Sequence, residues 1–498
     1  MYLGIDIGTS SSKGALISAD GETLRSMSIP HGIDIPRPGW AEQDADRVWW
    51  TDVVQLCRGL LDGSPYSGAD IDAVAISAIG PCVLPLDASG RPLRPGILYG
   101  VDGRAAEQIA SMEAELGRDE IQRFAGMDLS SQATGPKIMW IRDHEPDVWN
   151  DAAIFTTASS YVVFRLTGEH VIDHHTAAHT IPLYDRATNT WSDRFAETVV
   201  SPDRLPRLGW SDEVAGTVTG LAAAETGLAP GTPVAVGAVD ALSEAVGVGA
   251  VETGDLMLMY GSTAFFILAA DEPEPSPGMW LLPGAFEGSQ TIAAGMSTTG
   301  LITDWFRSLV SLDELVDFDR LFAEAAAVPA GSGGLIVLPY FFGERTPIND
   351  PDARGVVLGL SLAHSRGHFF RAVLEGIAYG IRHNLEAMAA AGSPIRRIAA
   401  VGGGTSGGLL TGVVSSVTGR SQQVPPQGHG AVRGNAFLAG LAHGSLDRRD
   451  LSTWTGVDHT VDPGPDHEVY ESGYRRYLAT YRATADLVHA GVSAGNSL

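Results

Sequence analysis

The sequence predicts an α/β fold built from two similar halves, and three observations carry this. Strand-like and helix-like stretches alternate along the whole chain. The opening "MYLGIDIGTSSSKGAL" sets an apolar strand, a turn of glycine and hydroxyl residues, and a second apolar strand; "GDLMLMYGSTAFFILAA" repeats that plan roughly halfway along. At 498 residues the chain is long enough for two domains, each with its own core.

The elements follow in order. "MYLGIDIG" and "KGALISADGETLRSMSIP" read as strands turned at Asp20-Gly21. "DADRVWWTDVVQLCRGLL" has helical spacing, with Val48, Trp49, Val53, Val54 and Leu60 forming an apolar stripe. "IDAVAISAIG" reads as a buried strand. "GLAPGTPVAVGAVDALSEAVGVGAV" reads as a Pro/Gly turn, a strand and a glycine-rich crossover, which sets a domain boundary after residue 245. That gives domains 1–245 and 246–498 with a ligand cleft expected between them, and the last helices able to pack back on the first. "HSRGHFFRAVLEGIAYGIRHNLEAMAAAG" is the clearest helix. Phe370, Val373, Leu374, Ile377, Ile381, Leu385 and Met388 share a face, Ser365 is the N-cap and Gly392 the stop. "IRRIAAVGGGTSGGLL" gives a strand, a glycine cluster and a helix start.

Composition narrows the function. The net charge of −26 argues against a nucleic-acid partner but leaves room for a small anion held by backbone N–H groups and a metal. No apolar run approaches the ~20 residues of a membrane span, and Met1 leads straight into a strand without a signal-peptide pattern, so a cytoplasmic protein with no membrane partner is expected. Cys57 and Cys82 lie in no CxxC or Cys/His cluster and read as buried apolar fillers. His174 and His175 suggest a metal, but neighbours on a strand point to opposite faces, which argues against it. The only lysines are Lys13 and Lys137.

Four glycine-rich elements each follow a strand: Gly8-Thr9-Ser10, Gly261-Ser262-Thr263, Gly300 in "MSTTG", and Gly402-Gly403-Gly404. Glycine lets a backbone approach an anion closely. None fits a P-loop or a dinucleotide fingerprint. Two acids end apolar strands beside such turns, Asp6 and Asp240. Phosphoryl transfer needs oxygen ligands for a hard cation and an acceptor for the attacking hydroxyl's proton, one acid per role at minimum. Each acid alone reads equally well as a helix cap or a strand end.

The chain resembles the FGGY family of carbohydrate kinases, within the actin–hexokinase–Hsp70 superfamily, and is most similar to its xylulokinase branch. "GIDIGTSSSKGAL", "PGWAEQDADRVWW", "RPLRPGILYGVDGRAAEQ", "YVVFRLTGEHVIDHHTAA", "VGAVDALSEAVGVGA", "PYFFGERTPINDPDARGVVLGLSLAHSRGHFFRAVLEGIAYGIR" and "VGGGTSGGLL" match in that order. The resemblance implies two actin-like (ribonuclease H-like) domains with mixed sheets flanked by helices. It implies transfer of the ATP γ-phosphate to a ketopentose-like sugar, D-xylulose as the single best guess, with a tetritol, hexulose or deoxyketose as alternatives. By resemblance Asp240 is the general base and shares Mg²⁺ with Asp6. Gly8, Thr9, Ser10, Ser11 and Lys13, with Gly261, Ser262, Thr263 and Gly300, contact phosphates, and Gly403, Gly404 and Thr405 line the adenosine site. Trp40, Asp102 and Arg104 match sugar-binding positions, with a surface ion pair as the alternative for Asp102–Arg104. Lys137 also matches a family position and reads as structural. The pattern breaks at "SAIGPC", where xylulokinases read SGQMHG, so that Gly80 and Pro81 stand in place of a Met-His pair. The different-class alternative is an actin- or Hsp70-like ATPase without sugar transfer. The oligomeric state, a homodimer among the options, is left open.

Overall fold

A computed structural model describes residues 1–311, 315–392, 394–426 and 430–495. The chain forms two compact units. The first holds Met1–Val251, Leu281–Thr291 and a later stretch ending at Gly456 that includes the helix Gly430–His443. The second holds Glu252–Trp280, Ile292–Pro426 and the chain from Val457 onward, with the closing helix His467–Gly495. A split after residue 245 therefore differs from the observed one: the first unit runs on to Val251 and takes in two later segments.

In the first unit β1 (Tyr2–Ile7) and β2 (Ser11–Ile17) pair antiparallel, and β2 pairs with β3 (Thr23–Pro30). Gly21 makes the turn between β2 and β3 with φ 82°. The strand Ala73–Ala78 lies parallel on the other side of β1, followed by Pro233–Ala235 and Val214–Thr217. Every residue of β1 is buried, as its continuous apolar run requires. The helical stretch begins as a π-helical turn over Ala45–Trp50, capped by Asp44, and continues as α1 (Thr51–Leu61). Trp49, Val53, Leu56 and Leu60 pack in one core with Leu3, Ile5 and Ile7, and Cys57 and Cys82 are buried there too.

The stretch after Val239 corrects the sequence reading. It is a helix, Asp240–Gly247, not a glycine crossover. Glycines on both facing helices serve contact: a Cβ on Gly247 would lie 1.9 Å from Gly430 O, and one on Gly434, in the facing helix, 1.9 Å from Ser243 O. The helix Gly430–His443 therefore lies directly against Asp240–Gly247, and close packing overrides glycine's low helix propensity.

The second unit is built the same way. Asp255–Tyr260 pairs antiparallel with Ala264–Ala270 and parallel with Arg397–Val401, as β1 pairs with β2 and Ala73–Ala78. From Gln290–Met296 its sheet continues through Ala264–Ala270, Asp255–Tyr260, Arg397–Val401 and Gln422–Val424 to His459–Val461. The long helix spans Arg366–Ala390 with a Ser365–His368 capping box and its apolar face buried; Gly392 follows at φ 118°. Among the described residues no helix is long and apolar enough to cross a membrane.

Candidate active site

Register places the first acid. Lys13, Asp6 and Ser77 stand opposite one another across three strands, so their side chains share a face of the sheet. Ala238 pairs with Ser77, and the chain reaches Asp240 two residues later, at the first position of its helix. Ser77 Oγ donates to Asp6 Oδ1 at 2.7 Å. Asn435 Nδ2 donates to Ser77 Oγ and to Ile5 O, each at 2.7 Å, and Ser243 Oγ donates to Asn435 Oδ1 at 2.8 Å. This buried relay ties Asp6 to the helix that carries Asp240.

Three carboxyls crowd here. Burial, and next the charge of Asp6, push the Asp240 carboxyl up to about 8. Burial and Asp6 likewise push Glu244 to about 7; it accepts the Ala431 N–H at 2.7 Å. Asp6 itself is raised by burial, against the Ser77 hydrogen bond and the Lys13 charge. Buried carboxylates that repel one another are relieved by a cation. The donors are hard oxygens, which fit Mg²⁺. Among the described residues no group of three His, Cys, Asp or Glu side chains is arranged to hold a metal ion. Glu244, Ser243, Ser77 and Asn435 escaped the sequence reading. Glu244 lies four residues after Asp240, a signal only once that stretch is known to be helical.

The Gly8–Ser11 turn closes with Gly8 N–H on Ser11 O at 3.0 Å. Ser10 is exposed, Ser11 half-buried, and Thr9 Oγ1 lies 3.2 Å from the Tyr99 hydroxyl. Lys13 is exposed on β2.

In the second unit, Gly261, Ser262 and Thr263 form the matching turn, closed by Gly261 N–H on Thr263 O at 3.0 Å. Gly300 backs this turn rather than presenting its own N–H, which donates to Gly261 O at 3.0 Å. Gly402 and Gly404 pass over Tyr260 so closely that a Cβ would come within 2.5 Å of Tyr260 O and 2.8 Å of Tyr260 Cβ, respectively. Gly403 is exposed with open space around it. Thr405 is buried, and its hydroxyl closes its own turn on Gly402 O at 2.8 Å.

Among the sugar candidates Gly80 is half-buried, and Pro81 and Cys82 are buried. Trp40 is half-buried; the Arg104 guanidinium lies 4.1 Å from its ring centroid and Arg37 4.7 Å. Asp102 and Arg104 do not form a surface pair. Both side chains are fully enclosed, 2.7 Å apart, with Ala41 N–H on Asp102 and Glu42 2.8 Å from Arg104. Asp102 thus holds Arg104 against Trp40. Lys137 is buried, donates to Ser131 O, and is pushed by burial to about 8, with Asp102 and Cys82 acting on it from nearby. Burial pushes the Cys82 thiol up to about 12, with Lys137 acting against that shift and Asp240 adding to it.

The histidines need a second correction. His174 and His175 occupy a helical turn, His174–Ala177, not a strand, so the opposite-face argument does not apply to them. His174 Nδ1 meets Tyr184 OH at 2.9 Å and His175 Nδ1 faces Pro283 O at 2.7 Å. His179 Nδ1 is buried without a hydrogen-bond partner. Burial pushes His174 and His175 to about 4 and His179 to about 3.

The comparisons meet this geometry. Residues 1–247 match the N-terminal domain, and residues 256–443 the C-terminal domain, of the FGGY family of carbohydrate kinases. The chain belongs to that family. The kinase is 30% identical over 446 residues to the xylulose kinase of Escherichia coli K12, covering 89% of this chain and 90% of that one. It is 26% identical over 458 residues to the gluconokinase of Bacillus subtilis 168, covering 90% and 88%. The crystal structure of xylulose kinase from Rhodospirillum rubrum superposes with TM-score 0.89 at 30% identity, covering 98% of this chain and 99% of that one. This kinase is a sugar phosphotransferase, which sets aside the ATPase alternative.

Proposed function

We propose that the kinase transfers the γ-phosphate of ATP to a hydroxyl of a ketopentose, D-xylulose giving D-xylulose 5-phosphate as the leading substrate. The observation that carries this is Asp240 beside Asp6 in the same unit as the Gly8–Ser11 turn. Asp240 accepts the sugar hydroxyl's proton as its oxygen attacks phosphorus; the bond to the ADP oxygen breaks and ADP leaves. In a loose transition state the proton moves late, so positioning outweighs basicity. Burial lifts the carboxyls of Asp240 and Asp6 alike, so Asp240's place at the start of its helix, rather than its basicity, supports the role of proton acceptor.

Asp6 and Asp240 are the residues that would hold Mg²⁺, which supplies charge neutralisation to the phosphates when bound. Thr9, Ser10, Ser11 and Lys13 are assigned to phosphate in the first unit, and Gly261, Ser262 and Thr263 in the second, with Gly300 as their support. Gly403 and Gly404 are assigned to adenosine, with Thr405 shaping that turn. ATP as phosphate donor and a phosphorylated sugar as product fit a cytoplasmic enzyme.

A second reading, another polyol or ketose as acceptor, is favoured by Gly80-Pro81, since neither residue has a side chain that can hydrogen-bond a sugar hydroxyl. A coupled ADP assay over a panel of ketoses and polyols decides. D-xylulose should give the highest kcat/KM; a better polyol would move the substrate, and a rate indifferent to every sugar would overturn the proposal.

A further inference from the structure

A buried imidazole stands behind the Gly8–Ser11 turn. His31 follows β3, and its side chain is 8% exposed. Its main-chain N–H donates to Ser10 O at 3.0 Å, its Nε2 stands 2.9 Å from Gly8 O, and its Nδ1 2.8 Å from Asp52 Oδ2. Asp52, in the first turn of α1, is buried and also accepts from Ser12 Oγ at 2.8 Å. Gln43 Nε2 reaches Thr9 O at 3.4 Å and Gly32 O at 3.0 Å. The carbonyls of Gly8, Thr9 and Ser10 are thus each held by His31 or Gln43.

A trans peptide points its N–H opposite to its C=O. Holding the carbonyls of Gly8 and Thr9 in this way orients the N–H groups of Thr9 and Ser10 away from His31 and Gln43. The turn in the second unit uses other parts for the same task. Gly261 O accepts from Gly300 N–H and from Thr299 Oγ1 at 2.9 Å, and Ser262 O accepts from the N–H groups of Thr299 and Leu301 at 3.0 and 3.1 Å. Those backbone and hydroxyl donors do not titrate, whereas the donor on Gly8 O is an imidazole.

Both ring nitrogens of His31 face acceptors, a carbonyl and a carboxylate. A neutral ring has one N–H and satisfies one of them; the imidazolium satisfies both. Burial favours the neutral ring, but the hydrogen bonds to Asp52 and Gly8 and the Asp52 charge outweigh it, so the ring stays charged to higher pH than usual. Asp52 on α1 is the charged group acting on it; Ser12 on β2, Gln43 and the Gly8 carbonyl are neutral.

We propose that His31, held by Asp52, is a positioning residue for nucleotide binding that locks the Gly8–Ser11 turn with its N–H groups aimed at phosphate. The inference rests on the assignment of that turn to ATP. His31 acts through the Gly8 carbonyl and touches no substrate.

The test compares wild type with His31→Ala, His31→Gln and Asp52→Asn by steady-state kinetics in ATP and in sugar from pH 6 to pH 9. Gln can place its Nε2 on the Gly8 carbonyl but cannot titrate. His31→Ala should raise KM for ATP about tenfold, on the scale of one charge-assisted hydrogen bond, and leave KM for the sugar within about twofold. In wild type, KM for ATP should climb at alkaline pH; Asp52→Asn should move that climb to lower pH, and His31→Gln should lack it, with most of the affinity restored. Equal effects on both substrates, or a His31→Gln enzyme as weak as His31→Ala, would overturn the proposal. If His31→Ala does not fold, the wild-type and His31→Gln profiles decide: identical pH profiles overturn it. A wild-type enzyme with no sugar-dependent ADP release would sink the kinase reading instead.

Discussion

Asn435 Nδ2 lies 2.7 Å from Ser77 Oγ, and through that hydroxyl a helix near the end of the chain holds Asp6 near its start. Ser77, Ser243 and Asn435 are each fully buried, so every partner in the relay matters. Asn435→Ala leaves Ile5 O, Ser77 and Ser243 short of a partner. We expect a loss of about 3 kcal/mol in urea unfolding, and kcat lower by about tenfold as Asp6 loses its orientation. Wild-type stability in this variant would show the relay to be idle.

Asp240→Asn should keep the side chain's shape and remove the proton acceptor. The expected outcome is a fall in kcat of about 10³-fold with ATP affinity changed by no more than about threefold. Binding is read by titrating ATP without sugar, turnover by ADP release. Retained turnover would assign the base to another residue.

The buried histidines make stability depend on acid. His179 ionises at about 3 in the fold against an ordinary value near 6.5, so its contribution is present above about pH 6.5 and is lost as pH falls toward 3. His179→Asn carries no such loss. The stability of wild type minus that of His179→Asn, from thermal melts, should therefore shrink from pH 7 to pH 5. A difference that is constant across that range would mean the ring is not held neutral.

Glycine contacts give a paired test. A Cβ at Gly434 would meet Ser243 O at 1.9 Å, and both helices must move to admit it. Gly434→Ala should cost about 3 kcal/mol or more and depress kcat by shifting the helix of Asp240. Gly412, inside the helix Leu409–Thr418, has open space at its Cβ. Gly412→Ala should stabilise by about 0.5–1 kcal/mol. Both are read from chemical denaturation; equal effects would refute the packing argument.

What the sequence determined by itself was what depends on near neighbours. The strand–turn–strand plan at both starts, the long helix from Ser365 to Gly392 and the glycine–hydroxyl turns all follow from short-range periodicity and capping. Their ordered likeness to the FGGY kinases pointed to Asp6 and Asp240. Tertiary structure alone decided the rest. The stretch after Val239 carries glycines that locally argue against a helix, yet Asp240–Gly247 is one, and its Gly247 lets a neighbouring helix approach closely. Asp102 and Arg104 matched sugar-binding positions with a surface pair as the alternative, and only packing showed both side chains enclosed. Asn435 and Ser77 are 358 residues apart, and His31 and Asp52 belong to different elements. No local pattern marks such partners, because each side chain's bond forms only when folding removes water from both.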